Sequence, residues 1–191
     1  LVECIEVERQ LKETLGIKEV IIAPTVNIED VGQQEDPENV KKLVALEAAR
    51  YLQRIIKKGD VIGFTWGSTV YQMINYLNPA QKVEADFVTL HGSLASSVAE
   101  WDVRTLVTRS AKAFSGKKHI LLTDTLMSSA EITELLKNEK SIADVYAMFE
   151  RVNIAINGIG AFYPETSTVL ARPEYLPQKD LEELRNCGVV G

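Results

Sequence analysis

Cysteine is scarce in this sequence, and the two cysteines that occur are far apart. Cys4 and Cys187 stand near opposite ends of the 191 residues and do not have the spacing of metal ligands. Free thiols are typical of proteins in a reducing compartment. We therefore expect no disulfide, no metal site and no cofactor, and a cytoplasmic location.

Long apolar runs and an excess of positive charge are also missing. No run approaches the roughly 20 apolar residues that span a bilayer, and the first segment, LVECIEVERQLKETLG, mixes acids and bases. The chain has 21 Lys and Arg against 27 Asp and Glu, a net charge of −6. This charge opposes general binding to nucleic acid. We expect no membrane contact and no DNA contact by this part of the protein, so an anionic ligand would need locally aimed donors.

Apolar segments of strand length alternate with segments of helix length along the chain. The predicted strands are residues 18–26, 60–65, 85–90, 119–124 and 152–157. Parallel strands need crossover connections, which are usually helices. The pattern therefore predicts an α/β fold, a Rossmann-like parallel sheet with helices on both faces, as one domain over residues 1–191.

One long amphipathic helix is predicted after the first strand. Asp36 and Pro37 have the residue types of an N-cap and a first helical position, and Gly59 is a candidate for its end. Apolar residues recur at helical spacing between them: Val40, Leu43, Val44, Ala48, Tyr51, Leu52, Ile55 and Ile56.

Small polar residues follow four of the predicted strands, in TWGST, HGSLASS, DTLMSS and NGIGAF. Ligands of open parallel sheets bind outside the carboxyl ends of the strands. In TWGST, Gly67 permits close backbone approach, and Ser68 or Thr69 can cap the next helix. The free N–H groups of that helix start are a natural phosphate seat. An ordinary cap without a ligand explains the same residues.

The other three loops supply further candidates. Gly92 and Ser93 form a second possible ligand loop, and His91 stands at the end of the strand before it, although a lone histidine is more often structural. Asp124 is either an acceptor for sugar hydroxyls or the cap of a helix that starts near Ser128 or Ser129.

Two further features have weaker claims on a ligand. Arg104 lies near the start of a predicted helix after Trp101 and Asp102, where it either reaches an anion or is solvated. Gly158 and Gly160 allow a tight chain reversal beside the same edge, and that reversal alone would account for them.

Five segments occur together in an order that resembles a known family. They are LKETLGIKEVIIAP, KKGDVIGFTWGSTVYQMINYL, FVTLHGSLASS, VNIAINGIGAF and LPQKDLEELRNCGVVG. The chain resembles the effector-binding domain of SorC/DeoR-type bacterial transcriptional regulators over nearly its whole length. The most specific parts are GDxIGxxWGxT, the LxGS strand end and NIAINGIG.

This resemblance implies a fold related to glucosamine-6-phosphate deaminase, ribose-5-phosphate isomerase and CoA transferases. It implies that the domain binds a phosphorylated sugar and controls DNA binding by a helix-turn-helix, as a homodimer or homotetramer. Gly67, Ser68 and Thr69 match the phosphate-holding turn, and Gly92 and Ser93 match the second ligand loop. His91 stands where relatives vary. The resemblance also implies that an N-terminal helix-turn-helix and a C-terminal end are absent from this chain.

The alternative is a sugar-phosphate isomerase or deaminase of the same fold. The similar deaminases carry Gly-Ile-Gly-x-Asp-Gly-His, but here GIGAFYP places Phe162, Tyr163 and Pro164 at the last three positions. The Asp-Gly-Ala-Asp-Glu of the isomerases does not occur either. Proton transfer needs a poised acid or base, so the sequence favours a sensor over an enzyme. A scaffold domain that only oligomerises is a third possibility.

Overall fold

The chain folds as alternating strands and helices. The computed structural model describes residues 2–24, 36–94, 99–163 and 166–191. Its strands are β1 (Val61–Phe64), β2 (Asp86–Thr89), β3 (Lys117–His119) and β4 (Ile154–Ile156). Its α-helices are α1 (Val2–Leu15), α2 (Pro37–Ile55), α3 (Ser68–Asn75), α4 (Val103–Phe114), α5 (Ala130–Lys137), α6 (Lys140–Phe149) and α7 (Gln178–Asn186), with a 3-10 turn at Val169–Ala171.

The four strands form one sheet in the order β3-β2-β1-β4, and every pair is parallel. The chain proceeds from β1 through β2 to β3 and then returns to place β4 on the other side of β1. The strand order therefore reverses between β1 and β4, the position at which open α/β sheets bind ligands. The predicted α/β fold is confirmed.

Helices cover both faces of this sheet. On one face α2, α3 and α4 enclose Ile62, Phe64 and Phe87. On the other face Val61 and Val88 pack against α6. Because successive strand residues point to opposite faces, strands buried on both faces read as continuous apolar runs, as the sequence showed.

The predicted strand at 18–26 is wrong for the residues that the structure describes. Residues 18–24 lie in neither a helix nor a strand, and residues 25 and 26 lie outside the described ranges. Side chains hold this segment instead. Glu8 accepts a hydrogen bond from the Ile22 backbone N–H at 2.7 Å, and Glu19 contacts Tyr51 and Arg54 on α2. An apolar run alone does not identify the element against which it packs.

The strand predicted at 119–124 lies earlier in the chain than expected. β3 ends at His119, where the prediction began. After β3 the backbone N–H of Leu121 donates to the hydroxyl of buried Thr89 at 2.8 Å. A side-chain hydrogen bond to β2 therefore takes the place of a backbone hydrogen bond to that strand. Among the described residues a single bridge, between Ser93 and Asp124, continues the pairing.

The long helix α2 begins as predicted, because Asp36 caps it and Pro37 is its first residue. It ends at Ile55, before Gly59, which lies in a following turn with φ 87°. Val40 and Val44 are exposed, so the start of the predicted apolar stripe does not reach the described core. Within the described residues no helix is long and apolar enough to cross a membrane.

Candidate functional site

A cleft of about 410 Å³ opens at the point where the strand order reverses. The turn after β1 and the segment after β4 both contribute to its lining. Its lining residues are Thr65, Trp66, Gly67, Ser68, Thr69, His91, Leu94, Trp101, Thr125, Asn157, Gly158, Ile159, Gly160, Ser167, Thr168, Val169, Leu170 and Arg172. The volume lies in the range of sites for small molecules, about 300–1,000 Å³.

The turn before α3 lines the cleft, and no side chain caps the backbone donors of this helix start. Gly67 is the N-cap, with φ 144° and ψ 149°, a conformation open essentially to glycine alone. The first bond of the helix runs from the Tyr71 N–H to the Gly67 carbonyl at 2.8 Å. No side chain caps this helix start, so the prediction that Ser68 or Thr69 caps it is wrong. Both residues line the cleft instead.

His91 links this turn to the loop after β2 by hydrogen bonds. Its Nε2 accepts a hydrogen bond from the Trp66 backbone N–H at 3.0 Å, and its Nδ1 lies 2.6 Å from the Gly92 carbonyl oxygen. An imidazole that accepts at Nε2 and donates from Nδ1 is neutral. Burial lowers the pKa of His91, and the opposing effects of Gly92 and Asp102 do not reverse this. His91 therefore joins the two loops in its neutral form.

The Trp66 ring meets the His91 ring edge to face, with centroids 4.5 Å apart. This contact adds apolar packing to the hydrogen bond between the same two residues.

The second predicted ligand loop is packed against its neighbour. A side chain at Gly92 would collide with the backbone of Thr123 and Asp124, so glycine is required there by chain packing. Ser93 is buried and exchanges backbone hydrogen bonds of 2.9 Å with Thr123 and Thr125. Neither Gly92 nor Ser93 lines the cleft. Gly92 and Asp124 line a neighbouring cavity of about 330 Å³.

Arg104 does not line the cleft either. Its Nε donates to Asp102 at 3.0 Å, and its backbone N–H donates to the same carboxylate at 2.9 Å. Burial, the largest single effect, would raise the pKa of the Asp102 carboxyl, but the contacts with Arg104 and Ser93 together outweigh burial and lower this pKa. Buried Ser93 helps to lower this pKa, although its hydroxyl has no partner at full hydrogen-bond geometry among the described residues.

The neighbouring helix α5 is capped by Ser129, whose hydroxyl accepts from the Ile132 N–H at 3.2 Å. The alternative role of Asp124 as the cap of this helix is therefore wrong.

Of the predicted site residues, Gly67, Ser68, Thr69, His91 and Gly158 meet at the cleft, whereas Gly92, Ser93, Arg104 and Asp124 do not line it. Sequence reasoning missed Trp101, Asn157 and the segment 167–172. Asn157 follows β4 directly, so its position after a strand was a usable signal. The segment 167–172 follows no strand, and only the fold brings it to the cleft.

Comparisons with known proteins identify the family of this chain. The family model described as "Putative sugar-binding domain" matches residues 1–191. The chain is 26% identical to the uncharacterized transcriptional regulator YjhU of Escherichia coli over 98% of this chain and 56% of that protein. It is 23% identical to the deoxyribonucleoside regulator of Bacillus subtilis over 94% of this chain and 54% of that protein.

Solved structures show the same fold. The full-length sorbitol operon regulator SorC of Klebsiella pneumoniae superposes with a TM-score of 0.83 at 20% identity, covering 97% of this chain and 58% of that chain. A domain of a protein described as a "possible sugar-binding transcriptional regulator" from Arthrobacter aurescens has a TM-score of 0.81 at 21% identity, covering 98% of this chain and 69% of that chain. The chain thus spans little more than half the length of the curated relatives it matches. It belongs to the family of sugar-binding domains of SorC/DeoR-type transcriptional regulators.

Proposed function

We propose that this domain senses a phosphorylated sugar, whose phosphate binds at Gly67, Ser68 and Thr69. Binding would control a helix-turn-helix elsewhere in a longer regulator. The observation that carries the proposal is the uncapped start of α3, where free N–H groups and two hydroxyls face a cleft of ligand size. Charge-assisted hydrogen bonds to such donors are strong, and the helix dipole favours an anion there.

The charge of the cleft supports an anionic ligand. Among the described residues that line it, Arg172 is the only Lys or Arg, and none is Asp or Glu. The whole chain carries a net charge of −6, whereas the described residues that line the cleft include one positive and no negative side chain. A local positive site in an acidic protein favours specific over general anion binding.

The remaining lining suits the rest of a sugar. Asn157 brings a side-chain amide. The Ser167 and Thr168 hydroxyls accept from the Ala161 and Leu170 backbone N–H groups and can still donate to a sugar oxygen. Trp66 and Trp101 offer broad apolar ring surfaces. Pockets of this kind combine an apolar wall with a few polar groups that orient the ligand.

A sensing role is supported over catalysis by the relatives and by His91. The relatives are named as transcriptional regulators, one of deoxyribonucleosides and one of erythritol catabolism in Brucella abortus. His91 is the only imidazole among the described lining residues, and both its ring nitrogens are already engaged with backbone groups. A general base needs a ring nitrogen within reach of the substrate.

Regulation would follow from unequal binding to two arrangements of the parent protein. A ligand shifts such an equilibrium only by its difference in affinity for the two states. We propose that the domain pairs with copies of itself as a dimer or tetramer and thereby transmits the shift to the DNA-binding segment. Sedimentation that gives only monomer at high concentration would contradict the pairing.

Isothermal titration with glucose 6-phosphate and ribose 5-phosphate, against the unphosphorylated sugars, tests the proposal. We expect at least one phosphorylated sugar to bind and its unphosphorylated counterpart to bind far more weakly. Replacing Ser68 and Thr69 together by Ala should weaken that binding by about ten-fold or more, because bonds to charged groups contribute about 1.5–3 kcal/mol each.

The matched control is Ser141→Ala, since Ser141 lies in the first turn of α6, lines neither cavity, and belongs to a helix that also has no side-chain cap. Binding should be unchanged in this variant. Equal loss in both variants would contradict the phosphate seat. Steady conversion of a bound sugar phosphate would contradict the sensing role.

A further inference from the structure

The neighbouring cavity of about 330 Å³ has no part in the function proposed above. Residues of α5 and α6 line it, together with the segments that follow β2 and β3. Its volume lies at the lower end of the range for small-molecule sites, about 300–1,000 Å³. The cavity is therefore large enough for a small ligand of its own.

Helix α5 lines this cavity and does not enter the core. Its residues Ala130, Thr133, Leu136 and Lys137 all belong to the lining, and their spacing of three or four places them on one helix face. No residue of α5 is buried, whereas Ile142 of α6 is part of the core. A molecule in the cavity would cover the face of α5 that the core leaves exposed.

Much of the lining is apolar. Leu121 and Ile142 are almost fully buried, and Leu90, Leu136 and Tyr146 are half-buried. Removal of apolar surface from water is favourable, so this lining suits a compact apolar body. Tyr146 adds an aromatic ring to it.

Two charged side chains line the cavity, and one of them is already paired. The Lys137 Nζ lies 2.6 Å from the Glu134 carboxylate and 5.8 Å from the centre of the Tyr146 ring. The Asp124 carboxylate has no hydrogen bond or ion pair within the described part of the chain. The unpaired charge of this cavity is therefore negative, opposite to that of Arg172 in the cleft lining.

The start of α5 also lies at the cavity, and the protein itself satisfies it. Ser129 caps this helix by accepting from the Ile132 N–H at 3.2 Å. Glu131 stands in the first turn, where a carboxylate offsets the positive end of the helix dipole. This start differs from that of α3, which no side chain caps. The second cavity thus lacks the feature that favours an anion in the cleft.

The two cavities adjoin each other. His91 and Thr125 line both of them. Both side chains also meet the Gly92 carbonyl oxygen, His91 through Nδ1 at 2.6 Å and Thr125 through its hydroxyl at 2.6 Å. The charged residues of the two linings are different, so the cavities suit different ligands.

We propose that the cavity under α5 is a second ligand site, and that it takes a small primary amine with an apolar body. The ammonium group would pair with Asp124, and the body would lie against Leu121, Leu136 and Tyr146. An ammonium group has three donors and no acceptor, and a carboxylate is its strong partner. This inference does not depend on the sugar-phosphate proposal.

An NMR titration of the isotope-labelled chain tests the site with three probes that share one body. Phenethylamine carries an ammonium group, 2-phenylethanol is neutral, and phenylacetate carries a carboxylate. We expect phenethylamine to bind saturably and about three-fold or more tightly than 2-phenylethanol. The factor is modest because Asp124 is exposed and exposed ion pairs contribute little. Phenylacetate should bind most weakly, since its charge has the sign of Asp124.

The variant Asp124→Asn tests the charge of the site. It should bring the affinities for phenethylamine and 2-phenylethanol to within about two-fold of each other. Asp144→Asn is the matched control, because it removes an exposed carboxylate on α6 that lines neither cavity. This control should keep the preference for the amine.

Two tryptophan variants of α5 test the position of the site. Leu136→Trp puts a larger side chain into the lining and should weaken phenethylamine and 2-phenylethanol by about ten-fold or more. Leu135→Trp makes the same change at an exposed neighbour outside the lining, so both affinities should stay within about two-fold. Since α5 has no buried residue, both variants should fold.

Four outcomes would overturn the inference. Phenylacetate binding more tightly than phenethylamine, or equal effects of Asp124→Asn and Asp144→Asn, would refute the role of Asp124. Equal effects of the two tryptophan variants would place the ligand elsewhere. Absence of saturable phenethylamine binding up to about 10 mM would remove the site altogether. None of these results bears on the phosphate seat at Gly67–Thr69, which the sugar-phosphate titrations test.

Discussion

Helices α3 and α4 both begin after a strand at the carboxyl edge of the sheet, but their first turns are satisfied differently. Asp102 caps α4 with its own carboxylate, which accepts from the Arg104 N–H at 2.9 Å. Gly67 precedes α3 without any side-chain cap. The first four N–H groups of a helix need partners from outside the helix. The chain itself supplies one at α4, and at α3 it leaves the donors to whatever occupies the cleft.

This difference shows how a similar position in the fold becomes structural in one place and ligand-facing in another. At α4, a buried carboxylate and Arg104 complete the contacts within the protein. At α3, the conformation of Gly67 and the hydrogen bond from the Trp66 N–H to neutral His91 set the shape of the turn, and no side chain caps the helix. We expect mutations at α4 to change stability and mutations at α3 to change chiefly ligand binding, with Gly67 affecting both.

The largest expected effect comes from Gly67→Ala. A Cβ at this position would meet only the Val70 side chain, at 3.8 Å, so space is sufficient. The cost arises from the backbone, because φ 144° with ψ 149° is open essentially to glycine and such strain costs about 1–3 kcal/mol. Urea denaturation should show this loss of unfolding free energy.

The control for this change is Gly158→Ala, in the lining of the same cleft. Its φ is not positive and its Cβ would make ordinary contacts at 3.9 Å or more, so its effect on stability should stay within about 0.5 kcal/mol. If the two variants lose equal stability, the strain argument for Gly67 is wrong.

A second comparison sets Asp102→Ala against Ser68→Ala. Loss of an N-cap costs about 0.5–2 kcal/mol, and the Asp102 carboxylate also accepts from the Arg104 side chain. Ser68 makes no capping bond, so its loss should cost less than about 0.5 kcal/mol. Thermal unfolding of both variants without ligand measures the difference. A larger loss for Ser68→Ala would show that α3 is capped after all.

The smallest effect concerns pH and His91. Burial lowers the pKa of His91 in the folded protein, while an unfolded chain has a histidine pKa of about 6.5. Below about pH 6.5 the unfolded chain therefore binds a proton that the folded His91 excludes, and stability falls as pH falls. The contribution is fully present above that pH. Protonation would also remove the acceptor of the Trp66 N–H at the α3 turn.

Denaturation midpoints between pH 7.5 and 5.0 measure this dependence. The variant His91→Gln keeps a hydrogen-bond acceptor without a titrating ring, so it should show a shallower slope over the same interval. An unchanged slope would mean that His91 does not supply the pH dependence. The effect should be small beside those of Gly67 and Asp102.

Much of the architecture was predictable because it depends on local patterns. Apolar runs indicate the buried strands β1 and β2, and cap residues indicate the start of α2 at Asp36 and Pro37. The need for crossovers indicates that the strands are parallel. The segment at 18–24 was not predictable, because an apolar run is equally compatible with packing on side chains of α1 and α2. The position of β3 was predicted wrongly for a related reason. The Leu121 N–H bonds to the side-chain hydroxyl of Thr89 and not to a backbone carbonyl of β2, and an apolar run does not reveal this.

The sequence by itself determined the alternation of strands and helices, the acidic character of the chain and the glycine turn before α3. Each depends on residues that are close together in the chain or on their sum. Only the tertiary structure decided that Gly92 packs against Asp124 and that Arg172 joins the cleft. Those outcomes depend on which distant segments meet, and no local preference of a side chain specifies its partner across the fold.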